Sequence, residues 1–201
     1  MASRAVLQTI GIAVAALALA GCGEQASSFG ASYGFWKIRD EAEKAYPKLK
    51  PYQAHKKYAL DKFREVAGQA KTVADKRGIA AEFYAGFSQL NGHAIPTYCA
   101  EMNVDISAFA KRFAKVNSRS EKAFQSVLAE RGLTKDDVWE KQKRQARTAA
   151  KNALLEAGGL QGSWEVCKAV KDNPQKFMAH ANFARQFPAV SQALTKSAAG
   201  N

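Results

Sequence analysis

Apolar residues recur along most of the chain at steps of three, four and seven, the spacing that gathers them on one face of an α-helix. A helix-like pattern runs from Ile38 toward Tyr46. Tyr52, Ala59, Phe63, Val66, Ala70 and Val73 form the next stripe, with Gly78 expected to end it. Ile79, Phe83, Phe87 and Leu90 follow, closed by Asn91-Gly92. Pro96 suits the first turn of a short helix carrying Tyr98 and Cys99, where no backbone hydrogen bond is lost. Asp105 reads as an N-cap, and Ile106, Phe109, Phe113, Val116, Phe124 and Val127 keep the rhythm as far as Gly132. Thr134 with Asp137 imitates a capping box, opening a helix with Val138, Trp139, Ala146, Ala150, Ala153 and Leu154 that stops at Gly158-Gly159. Leu160, Trp164, Cys167 and Val170 make a further short stripe. Asn173-Pro174 starts a helix through Phe177, Ala181 and Phe187, and Pro188 starts the last.

Alternating β-branched runs and hairpin signals are missing, and no internal repeat is found. The pattern predicts an all-α fold: an irregular bundle of six to eight helices forming one domain over residues 33–201.

The N-terminus is built differently. Met1 to Arg4 carries one positive charge, and Ala5 to Ala20 carries none. Sixteen such residues span about 24 Å as a helix, short of a ~30 Å hydrocarbon core. This is the layout of a secretory signal, expected over residues 1–21. Leu19-Ala20-Gly21-Cys22 directly after it resembles the lipobox of bacterial lipoproteins. The resemblance covers only this leader. It implies cleavage before Cys22, diacylglycerol on the Cys22 thiol and further acylation of the new amine. The residue after Cys22 is Gly23 rather than Asp, which in that family points to the periplasmic leaflet of the outer membrane. Residues 22–32, rich in Gly, Ala and Ser, read as a short tether that keeps the body within ~35 Å of its membrane. Tyr33, Phe35 and Trp36 then start the body.

Charge narrows the partners. The chain has 30 Lys plus Arg against 18 Asp plus Glu; without Arg4 the remaining 29 exceed 18 by 11. Such an excess suits an acidic envelope protein, an anionic polymer or lipid headgroups, or serves only to keep a helical surface soluble. Export argues against nucleic acid. Once Cys22 is lipidated, Cys99 and Cys167 remain in a compartment that permits disulfides. Their pairing is the main expectation, with two inert buried thiols or a metal pair as alternatives.

Recognisable catalytic chemistry is sparse. His55, His93 and His180 are scattered, without metal-ligand spacing, so no metal and no cofactor is expected. Gly86-Phe-Ser88 lacks a nucleophile elbow's second glycine. Glu82 and Glu101 are acid/base candidates only by elimination. Two surface features remain. Lys141, Lys143, Arg144, Arg147 and Lys151 crowd one helix, with only Glu140 nearby to offset them. Phe83, Tyr84 and Phe87 offer either a core or an aromatic groove. Together these predict a non-enzymatic, membrane-tethered binding, immunity or envelope-apparatus protein, with Lys143, Arg144, Arg147 and Lys151 as the partner face. A cell-envelope hydrolase using Glu82 or Glu101, or a small-ligand carrier, are the rival classes.

Overall fold

The computed structural model describes residues 39–158 and 162–196; the expected leader with Leu19 to Cys22, the expected tether, Tyr33, Phe35, Trp36, the Lys141 side chain, Gly159 and Leu160 lie outside the described residues. The elements in chain order are α1 (Arg39–Ala45), α2 (Pro51–Gly68), α3 (Val73–Ser88), a π-helix (Gln89–Ala94) and α4 (Ile95–Glu101). They continue with α5 (Ser107–Val116), α6 (Ser118–Glu130), α7 (Lys135–Gly158), α8 (Gly162–Asp172), α9 (Pro174–Ala181), α10 (Phe183–Gln186) and α11 (Pro188–Thr195). No strand occurs among the described residues. The architecture is the irregular all-α bundle that the periodicity predicts, divided into more and shorter helices than the stripes suggest.

Local capping explains several boundaries. The Thr72 Oγ1 accepts from the Asp75 N–H at 3.0 Å while the Thr72 N–H donates to the Asp75 carboxylate at 3.0 Å, a reciprocal box that starts α3. Gly78 therefore lies inside α3 rather than ending a helix, and a methyl group there would run into the Arg131 guanidinium. Asn91-Gly92 does not close the segment either. The chain passes through the π-helix into α4, and a Cβ on Gly92 would lie 2.8 Å from the Phe113 ring of α5. The Thr134–Asp137 box forms as the sequence suggests, with the Thr134 N–H 2.8 Å from the Asp137 carboxylate. At α9, the Asn173 Oδ1 accepts from the Lys176 N–H at 3.3 Å, and Pro174 occupies the first turn.

One long stripe is split at Asn117. Its buried Nδ2 donates to the Phe113 carbonyl at 3.0 Å and the Ala181 carbonyl at 2.8 Å, and its Oδ1 accepts from the Phe183 N–H at 2.8 Å. One amide thereby terminates α5 and joins it to the α9–α10 corner.

The core is organised around α3, whose Ala80, Ala81, Phe83, Tyr84, Ala85 and Phe87 are all buried. A helix that is apolar on several sides needs neighbours on each of them, and α2, α6 and α11 pack on it. Small residues let those helices approach; the rings fill the remaining space. Phe83 lies 4.8 Å from Phe187, Tyr84 4.9 Å from Phe183 and Phe87 5.2 Å from Phe183, mostly edge-to-face or tilted. The stretch weighed as an aromatic groove is thus core, with Phe83, Tyr84 and Phe87 each no more than 2 % exposed. Cys99 and Cys167 are bonded, their Cα atoms 5.6 Å apart, joining α4 to α8 in the interior. No described helix is long and apolar enough to cross a membrane.

Candidate functional site

The residue pattern of α7 fixes which side chains face outward. Val138, Ala146, Ala150 and Leu154 are buried and fall on one helical face. The alanines carry only a methyl group, so α7 lies close on the π-helix, α4 and α8. The rest of its surface faces water, and Lys143, Arg144, Arg147 and Lys151 are all exposed.

These four are not equivalent. Arg147 grips Glu101 of α4 as a fork, with Nε 3.0 Å from Oε1 and Nη2 2.7 Å from Oε2. Its guanidinium also lies 5.7 Å from the centre of the Tyr98 ring. The Arg147 hydrogen bonds hold the Glu101 carboxyl below its usual range and push the guanidinium's pKa further up. Lys143 meets Glu140 at 3.5 Å, a pair exposed on both sides and of little energetic weight. Arg144 and Lys151 have no ion pair among the described residues.

The sequence-predicted cluster is therefore brought together, but its repulsion is relieved more than the local sequence implies. Glu140 is not the only counter-charge: Glu101, 46 residues away in the chain, neutralises Arg147. That partner was invisible to helical spacing because it arrives through the α4–α7 contact. Arg144 and Lys151, seven residues apart and on one strip, remain without a counter-charge among the described residues.

The acid/base candidates are held differently. Glu82 lies 3.4 Å from Arg131; burial raises its pKa and the Arg131 charge opposes the rise. Glu101 is bound by Arg147 as described. Each carboxylate thus has an arginine, not a histidine, as its partner in these pairs. Among the described residues, no group of three His, Cys, Asp or Glu side chains is placed to hold a metal ion.

The π-helix marks a second place; the stretch from Phe83 to His93 stands out in the sequence, but its widened turn does not. Widened turns of this kind are rare and often found at functional sites. Ser88, Gln89 and His93 line a small cavity with Phe124, Lys135, Val138 and Trp139, of about 20 Å³. The Gln89 Nε2 donates to the Val138 carbonyl at 3.1 Å, while its Oε1 is buried without a protein partner. Such a space accommodates about one water molecule, which the Oε1 would accept from. His93 lies 5.0 Å from Trp139, and burial, then the nearby Lys135 charge, lowers its pKa. Beside it Tyr84 donates to Glu121 at 3.0 Å, and Lys135 meets the other Glu121 oxygen at 2.7 Å. Burial, then Glu121, raises the Tyr84 pKa, which suits it to donate rather than ionise. This network orders the junction of α3, α6 and α7.

No family model, curated protein sequence or solved structure matches this chain.

Proposed function

We propose that the chain is an exported, non-enzymatic binding protein of the cell envelope, held by lipid on Cys22 at the periplasmic leaflet of the outer membrane, that captures an acidic partner on α7. The leader supports the address: a short uncharged segment ends in Leu19-Ala20-Gly21-Cys22. The observation that carries the binding reading is the pair of exposed cations Arg144 and Lys151, without ion-pair partners among the described residues, on a helix anchored by its buried Ala146 and Ala150. A partner bearing carboxylates or phosphates would gain charge-assisted contacts there without α7 having to move.

Arg144→Glu with Lys151→Glu is expected to weaken retention of the native-envelope partner roughly tenfold, equivalent to about 1.4 kcal/mol. Raised salt should weaken the parent in the same direction. Pull-down over a salt series measures both. Retention that is insensitive to charge reversal and to salt would remove α7 as the partner face. Arg147 is the poorer choice for this test, because its replacement also releases Glu101.

A further inference from the structure

We propose that α5, α8 and α9 form a second basic surface, edged by the exposed Trp164, that seats on the anionic headgroups of a lipid bilayer. The proposal rests on the reading of a membrane-tethered protein, and adds which face of the body meets the membrane.

Trp164, Lys168 and Lys171 lie at i, i+4 and i+7 of α8 and so share one strip. The sequence pattern assigns Trp164 to an apolar stripe with Cys167 and Val170, yet those two are buried while Trp164 is 46 % exposed. The Cys167 bond to α4 fixes the rotation of α8, so this indole cannot turn inward with its neighbours. The Lys168 ammonium lies 5.2 Å from the indole centre.

The cations continue onto the adjoining helices. α5 packs on both α8 and α9. It carries Lys111, Arg112 and Lys115 and no carboxylate. Asp105, just before α5, feels the charge of both Lys111 and Lys171, and Arg112 donates to Gln175 of α9 at 3.0 Å. Lys111, Arg112, Lys115, Lys168, Lys171 and Lys176 are exposed and have no ion pair among the described residues. Asp105, Glu165 and Asp172 are the exposed acids on these segments, fewer than the cations around them.

A large aromatic left in water beside lysines has a specific complement in a bilayer surface. Indole rings favour the headgroup level, and lysine stems lie along apolar material while their ammonium groups reach phosphate oxygens. Each lysine or arginine near an anionic leaflet adds to the attraction, so unpaired cations spread over three helices suit a broad charged sheet.

The test uses the full chain with Trp36→Phe and Trp139→Phe, which leaves Trp164 as the reporter. Vesicles of phosphatidylcholine alone are compared with vesicles also containing phosphatidylglycerol, with brominated acyl chains as quencher. Trp164 is expected to shift to the blue and be quenched in the anionic vesicles only, reversibly with salt. Lys168→Gln with Lys171→Gln should lower the docked-to-undocked ratio roughly thirtyfold. Identical Trp164 signals in the two vesicle types would overturn the proposal, as would quenching that ignores the lysine changes or a response to soluble polyglutamate but not to vesicles. Where Trp139→Phe disturbs folding, protection of the parent's Lys168 and Lys171 from acetylation by anionic vesicles, read by mass spectrometry, replaces the fluorescence; unchanged labelling overturns it equally. Sedimentation with both vesicle types while Trp164 stays silent would leave the tether standing and remove only this face.

Discussion

Replacing Cys99 and Cys167 together by serine is expected to lower the unfolding free energy by about 4 kcal/mol, the chain-entropy value for a loop of this size. The two cysteines are 68 residues apart in sequence, and both are fully buried. The bond joins α4 to α8, and α7 packs on both of those helices, so it closes one side of the bundle. In a domain of this length such a loss lowers the melting temperature by roughly 10 °C. Reductant added to the folded protein should act slowly, because the sulfurs become accessible only when this side opens. Urea unfolding of the parent and the double variant checks the prediction. A difference below about 1 kcal/mol would mean that helix packing alone holds α4 and α8 together.

The second large effect is expected at Phe183. This ring is 0 % exposed and touches Phe83, Tyr84, Phe87 and Phe187, so one side chain connects α10 to α3 and to the residue that precedes α11. Phe183→Ala removes that contact and leaves a cavity, at about 3–5 kcal/mol. The short α10 leaves little room for compensation. It spans only Phe183–Gln186, and its start is held by the Asn182 side chain accepting from the Arg185 N–H at 3.1 Å and by Asn117 accepting from the Phe183 N–H. These polar bonds persist in the variant and hold the backbone near its place, so the surrounding rings close the void incompletely. Chemical denaturation measures the change. A loss under about 1 kcal/mol would show that the aromatic cluster repacks freely.

Much of the fold was legible because burial follows helical periodicity. Phe83 and Phe87, Phe109 and Phe113, and Ala146 and Ala150 all lie where a four-residue step places them, in the interior. Boundaries were less legible where polar side chains decide them. Gly78 invited a stop, but the Thr72–Asp75 box had already restarted the helix upstream. The π-helix was hidden by Asn91-Gly92 and Pro96, which resemble a helix end and a new start although the chain runs through them as helix. Asn117 breaks a continuous stripe through hydrogen bonds to Ala181 and Phe183, partners more than 60 residues away.

The same distinction governs the candidate sites. The crowding of cations on α7 could be read locally, whereas the capture of Arg147 by Glu101 depends on how α4 meets α7. Trp164 was assigned to the core because its spacing from Cys167 and Val170 fits one stripe, yet it lies at the edge of that stripe and stays exposed. On α5 the signal was present: Lys111 and Lys115 are four residues apart with no acid between them. Its continuation onto α8 depends on how the two helices pack.

The intact mass of the protein recovered from its native envelope tests the central reading most directly. The expected species is a polypeptide beginning at Cys22, heavier than residues 22–201 alone by a diacylglyceryl group and the further acyl chain, with Cys99 and Cys167 oxidised. Recovery from the cytosol of an unmodified chain that retains its first 21 residues and carries free thiols would contradict it.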